Sequence, residues 1–250
     1  MGFDLTFFAF AIPAIIFSGI SKAGFGSGAS FAAAPLLAII LEPALALGIL
    51  LPLFMLVDMV TLKPYWNRWN WSLTRPVLIG GLPGVIFGAL FFQFTNADML
   101  RIFIGAIALA FVIWQSLRTL GLLAVEDRKY GPVVGYITGM IAGFTSFVSH
   151  AGGPPVAIYM LSRGVGKTEY QASSVLIFWV INILKSVPYA VLGIFTAQTF
   201  LADLILAPFA LLGAWIGVKA HFIIPERPFF AITYVLLLMT GTKLLFDGLT

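Results

Sequence analysis

The sequence predicts an all-α integral membrane protein made of two opposed halves. Three observations carry that prediction. Apolar residues make up 60% of the chain against 10% charged residues. The charges collect in short stretches between long apolar runs. Two glycine-rich interruptions occur at matched places, each followed by an abbreviated apolar run. A soluble domain carries about a quarter of its residues as Asp, Glu, Lys and Arg, and a mean hydropathy of +1.04 leaves no room for such a surface. The longer runs approach the roughly 20 residues a helix needs to cross hydrocarbon. A membrane β-barrel would alternate in polarity over short segments, and this chain does not.

Taken in order, apolar segments cover 3–21, 29–41, 43–62, 76–94 and 99–117, then 131–148, 154–162, 169–190, 204–219 and 228–246. Asp4 rather than a basic stretch precedes the first, and no small-residue cleavage site follows it, so it reads as a retained helix rather than a signal peptide. Segments 29–41 and 154–162 are short. Gly24-Phe25-Gly26-Ser27-Gly28 precedes one and Ser149-His150-Ala151-Gly152-Gly153 the other. Each long segment, glycine break and short segment therefore reads as a broken hairpin.

Basic residues set the orientation. Lys63, Arg68 and Arg75 fall in one connection, Arg118, Arg128 and Lys129 in a second, Arg163 and Lys167 in a third, Lys219 and Arg227 in a fourth. If both hairpins return to the side they came from, all four lie on one face, and short loops rich in Lys and Arg belong in the cytoplasm. Both termini, Glu42, Asn96-Ala97-Asp98 and Phe195–Ala202 then lie outside. Residues 1–118 form an N-terminal repeat, 119–130 a cytoplasmic linker, and 131–250 a C-terminal repeat of opposite orientation. The registers align as Gly19 with Gly143, Gly28 with Gly152, Phe54 with Phe178 and Asp58 with Asn182, and further on as Gly84 with Gly213 and Gly88 with Gly217.

Inverted repeats with paired broken helices are an architecture of secondary transporters, which bind substrate near the midplane. Interrupted backbone at membrane depth must be buried in protein or line a cavity, and the N–H groups opening a half-helix suit an anion. This makes Gly24, Gly26, Ser27 and Gly28 in the first break, and Ser149, His150, Gly152 and Gly153 in the second, candidate substrate contacts. Close packing of helices is the competing role for such glycines. Lys22 and Lys185 lie within or beside apolar segments; either neutralises an anionic substrate or snorkels to an interface. Asp58, with Asn182 as its repeat partner, is a candidate for coupling to a proton or sodium gradient, or else a structural partner of Lys22. His150 is a candidate donor to substrate or proton acceptor.

Several classes are excluded. The net charge of +4 resides beside apolar segments, so it reads as topology signal and lipid contact rather than as a nucleic-acid surface. The chain has no cysteine and two histidines, too few ligands for a zinc site and no basis for an enzyme. No cofactor and no metal are expected, and no nucleotide-binding P-loop is present. Tyr65-Trp66-Asn67-Arg68-Trp69-Asn70-Trp71 reads as an interfacial anchor. The partners expected are a small anion and the lipid bilayer, with a homo-oligomer left open.

The stretches Gly19–Pro35 (GISKAGFGSGASFAAAP) and Gly143–Ala157 (GFTSFVSHAGGPPVA) resemble the duplicated modules of the sulfite exporter TauE/SafE family. The resemblance spans essentially the whole chain, with Ala29-Ser30 and Pro154-Pro155 as departures from a more glycine-rich pattern. It implies a bacterial inner-membrane transporter of sulfur-containing anions such as sulfite, sulfoacetate or other organosulfonates. The sequence reading is thus a secondary transporter for a small anion working by alternating access, with a passive anion channel, or a carrier of another small carboxylate or anion, as the alternatives.

Overall fold

A computed structural model describes residues 3–26, 30–122, 131–223 and 226–250. Among them every regular element is helical: α1 (Leu5–Gly24), a 3-10 turn (Ser30–Ala32), α2 (Ala33–Ala38), α3 (Pro43–Leu62), α4 (Trp71–Gln93), α5 (Ala97–Thr119), α6 (Pro132–Ser149), α7 (Gly153–Leu161), α8 (Lys167–Val191), α9 (Ala197–Ile223) and α10 (Glu226–Leu249). Eight of these helices are long and apolar enough to cross a membrane. The protein is an all-α, multi-pass membrane protein. The exterior is apolar: Ile79, Ile86, Phe87 and Leu90 of α4, and Val235, Leu238 and Met239 of α10, are exposed. The interior holds polar and charged groups, including Lys22, Asp58, His150, Asn182 and Lys185. With lipid as the surrounding medium, that inversion of the soluble pattern is the stable one.

Side-chain caps set the starts of α1, α4, α5 and α9, and two of them correct the sequence reading. Asn70 accepts from the Leu73 N–H at 3.2 Å, so α4 begins at Trp71 rather than at 76 and takes in Arg75. Thr196 and Thr199 bond reciprocally, each hydroxyl accepting the other's backbone N–H at 3.1 and 2.9 Å. This capping-box arrangement starts α9 at Ala197 instead of 204. The segment Phe195–Ala202, expected as an outer connection, is thus mostly helix, and Lys219, expected in a loop, lies inside α9 with its ammonium 3.7 Å from the Trp215 ring centre. Arg118 likewise belongs to α5. Trp66 and Trp71 are exposed, as anchors should be, but Tyr65 is buried and belongs to the interior. Of the linker expected at 119–130, residues 123–130 lie outside the described residues.

Three helix pairs dominate the packing: α4 with α6, α1 with α9, and α5 with α10. A β-carbon on Gly80 or Gly84 would run into the carbonyls of Tyr136 and Met140, and one on Gly139 or Gly143 into those of Val77 and Gly81. At the α1–α9 crossing, a β-carbon on Gly213 or Gly217 would stand 2.5 Å from the carbonyl oxygens of Ile16 and Ile20. These are backbone-to-backbone approaches that only glycine permits. The contacts recur in register: Gly84 meets Met140 as Gly213 meets Ile16, and Gly143 meets Gly81 and Val85 as Gly19 meets Ala210 and Ala214. Residue numbers rise together along α4 and α6 and along α1 and α9, so those pairs run parallel, whereas α5 and α10 run antiparallel.

Gly81 differs from its neighbours, because a β-carbon there would meet the Ile181 side chain at 3.4 Å and the Gly139 carbonyl at 3.9 Å, both ordinary contact distances. Gly84→Ala is therefore expected to destabilise the bundle by about 1–3 kcal/mol, while Gly81→Ala leaves it unchanged or slightly more stable through helix propensity. Thermal unfolding in detergent distinguishes the two.

Candidate functional site

The buried charges lie where α3 meets α8. Asp58 and Asn182 sit equally far into their helices (58 − 43 = 182 − 167 = 15 residues), roughly 22 Å from each helix start at helical rise. Asn182 Nδ2 donates to Asp58 Oδ2 at 2.8 Å across 124 residues of sequence. Lys22, in the last turn of α1, brings Nζ to 2.5 Å from Asp58 Oδ1. The same ammonium lies 5.6 Å from the ring centre of Phe54 and 5.5 Å from that of Phe178. The aromatic faces flank the cation while the carboxylate neutralises it.

Lys185, one turn beyond Asn182, is fully buried. Its ammonium makes three contacts: the Ser146 carbonyl at 2.8 Å, the Ser146 hydroxyl at 3.1 Å and His150 Nδ1 at 2.9 Å. His150 Nε2 lies 3.2 Å from the Leu47 carbonyl. A carbonyl only accepts, so Nε2 carries the imidazole proton, and Nδ1 is free to accept from Lys185. His150 is thus the neutral tautomer, wedged edge-on against Phe54 at a centroid distance of 5.1 Å. It closes α6 with φ 55° and ψ 13°. This left-handed conformation is usually glycine's at a helix end. The cost is carried where a side chain with ring nitrogens is placed against the buried lysine. Gly26, 124 residues earlier, has φ +76°, and a β-carbon there would lie 2.6 Å from the Tyr170 ring.

The last carbonyls of a helix have no partner within it, and here tertiary donors supply one. At the end of α1, Gln171 Nε2 donates to the Lys22 carbonyl at 2.8 Å, the Tyr65 hydroxyl to the Ala23 carbonyl at 2.8 Å, and His221 Nδ1 lies 2.6 Å from the Gly24 carbonyl. At the end of α6, Lys185 donates to the Ser146 carbonyl and the Tyr189 hydroxyl to the Phe147 carbonyl at 2.6 Å. The two tyrosine bonds are the same bond at a shift of 124 residues. Burial pushes the Tyr65 phenol above its ordinary range, so it remains a donor throughout neutral pH.

Of the residues singled out from sequence, Lys22, Asp58, Asn182, His150 and Lys185 come together in this one centre. The others do not join it directly. Ser149 bonds back to the Thr145 carbonyl at 2.9 Å. Gly24 packs against the Gly217 carbonyl, and Gly152 is wedged between the Phe178 ring and the Ala142 carbonyl. Gly153 opens α7. Ser27 and Gly28 lie outside the described residues. The sequence reading missed Gln171, Tyr189, His221 and the buried role of Tyr65; the 124-residue register already linked Tyr65 to Tyr189 and was the available signal. It also missed Asp203, which the early start of α9 buries and whose Oδ1 has no hydrogen-bond partner among the described residues. Apolar cavities flank both breaks, one of about 370 Å³ among Phe111, Trp114, Ile141 and Pro154, one of about 230 Å³ among Pro13, Phe17, Ala33 and Leu236. The charged centre opens into neither.

Removing one member of a buried ion pair strands the other. Lys22→Met is expected to cost about 3–5 kcal/mol, and the Lys22→Met/Asp58→Asn double variant to recover most of it. Equal destabilisation by single and double variants in detergent melts would show that the pair does not hold this crossing.

The family model described as sulfite exporter TauE/SafE matches residues 11–244. Searches of curated proteins and of solved structures return no match. The match takes in both breaks and every residue of the charged centre, and the family is one of membrane transporters rather than enzymes. The chain belongs to the sulfite exporter TauE/SafE family.

Proposed function

We propose that the protein is a secondary transporter carrying a small anion, sulfite or an organosulfonate, across the bacterial inner membrane by alternating access. One observation carries this reading. Lys185 is sealed within the helix bundle, beside a helix break, with hydrogen bonds to Ser146 and His150 and, among the described residues, no carboxylate partner. Charge held inside a membrane protein is costly and marks a substrate or ion path. A sulfur oxyanion is an acceptor with full negative charge, and an ammonium with three N–H donors is its complement. Family membership supplies the sulfur chemistry; the centre supplies a place for it.

The recurrence of contacts at matched registers supports an inverted repeat. The helix crossings, the left-handed residue at each break and the tyrosine bond that holds each break all occur twice. In this scheme Tyr65 fastens the break of the first half and Tyr189 that of the second, each serving a gate toward one face of the membrane. Both bonds are made in the conformation described, and Lys22 and Lys185 are 2% and 0% exposed, which fits a state closed on both sides. Each tyrosine bond is worth about 1 kcal/mol, small enough for substrate binding to bias which gate opens.

Two measurements test the reading. Purified protein in liposomes is expected to take up sulfite or a sulfonate saturably and to show counterflow. Collapsing a proton or a sodium gradient in turn identifies the driving ion. Absence of uptake under every gradient would sink the substrate assignment. The chain lacks cysteine, so single cysteines report topology directly. Cysteines at Lys63 and Arg163 are expected to label from the cytoplasm, and those at Glu42 and Ala197 from outside. Labelling of the Glu42 and Arg163 positions from the same side would overturn the inverted repeat.

A further inference from the structure

We propose that the buried centre selects singly charged anions over doubly charged ones, because it contains one cation more than it has anions to neutralise. The proposal rests on the reading of this centre as the transport site. The groups that meet there are Lys22, Asp58, His150 and Lys185. Lys22 and Asp58 form a contact ion pair and cancel. His150 is neutral, since one ring nitrogen faces the Leu47 carbonyl and the other accepts from Lys185. Among the described residues no contact joins Lys185 to a carboxylate, and Asp58 is the one carboxylate in contact with any of these four groups. The C-termini of α1 and α6, which end beside Lys22 and Ser146, bring the equivalent of about half a negative charge each, and the helix starts that follow the two breaks bring about half a positive charge each, so the breaks add no whole charge.

One negative charge from a substrate brings the centre to neutrality. A second would face Asp58 in a medium poor in water, where like charges repel strongly and a ligand charge left without a partner counts against the wrong ligand. The ligand class that fits is an R–SO₃⁻ group with an uncharged R, or hydrogen sulfite. Sulfoacetate, with its second charge, ranks below them. To bind, the oxyanion takes the place of the Ser146 hydroxyl and the imidazole as acceptor for the Lys185 N–H groups. These two ligands are neutral and can be exchanged, whereas the Asp58 carboxylate on Lys22 is not surrendered.

Sulfoacetamide and sulfoacetate form a matched pair, alike in size and sulfonate but carrying one and two charges. Titration calorimetry of the detergent-solubilised full chain is expected to show tighter binding of sulfoacetamide. Asp58→Asn adds one unit of positive charge and is expected to move the affinity ratio about tenfold or more toward sulfoacetate. The Lys22→Gln/Asp58→Asn double variant restores the original charge and is expected to restore the preference for sulfoacetamide. Should Asp58→Asn fail to fold, the double variant still decides, as does Lys185→Gln, expected to weaken both ligands and to move the ratio further toward sulfoacetamide, since Asp58 remains and a positive charge is lost. Tighter binding of sulfoacetate by the unaltered protein, or a ratio that ignores these charge changes, would overturn charge selection while leaving a transport site in place. Binding of neither ligand would overturn the transport-site reading itself, and charge selection with it.

Discussion

The contact between Lys22 and Asp58 fixes the centre of this protein. It joins the last turn of α1 to α3, and Asn182 on the same carboxylate brings in α8. In water such a pair would contribute little. Inside a lipid-embedded bundle each partner alone would be intolerable, so the chain must keep both together and exclude anything that separates them. The flanking rings of Phe54 and Phe178, almost equidistant from the Lys22 ammonium, contribute by closing the pair from two sides. A buried ion pair is weak evidence of net stability. What it provides here is position, because the pair and its Asn182 bond hold only while α1, α3 and α8 meet at this one level.

The broken helices follow from the same economy of polar groups. Ending α1 and α6 inside the bundle exposes carbonyls that lipid cannot satisfy. Each end is closed by side chains from distant elements: Gln171, Tyr65 and His221 at α1, Lys185 and Tyr189 at α6. The solutions differ in charge. Neutral amide and phenol donors, with an imidazole, close the first break, whereas a lysine closes the second. That difference, rather than the glycines, gives the two breaks distinct chemistry and leaves one of them with a cation in search of a counter-charge.

Glycine has two separate duties in this chain. At Gly80, Gly84, Gly139, Gly143, Gly213 and Gly217 it lets helix backbones touch. At Gly26 it permits a left-handed turn beside the Tyr170 ring. The break residue that departs from glycine, His150, accepts the same left-handed backbone and brings an imidazole to Lys185 instead. A chain that belongs to a transporter family thus places a left-handed residue other than glycine next to a buried lysine that has no carboxylate contact among the described residues.

Apolar run length alone determined that this is a membrane bundle, because each long run had no other medium in which to be stable. Charge placement and glycine spacing marked both breaks, and the 124-residue register linked Asp58 to Asn182 before any contact was seen. Helix starts were partly hidden: Asn70 and the Thr196–Thr199 pair extend α4 and α9 through polar residues that an apolar window discounts. Only the tertiary structure decided which glycines pack and which turn, that Tyr65 faces inward, and which lysine has a carboxylate. Pairing across 36 residues between Lys22 and Asp58 (58 − 22 = 36), or across 149 between Gln171 and the Lys22 carbonyl, is set by how helices cross. No local pattern encodes which buried donor will find which buried acceptor.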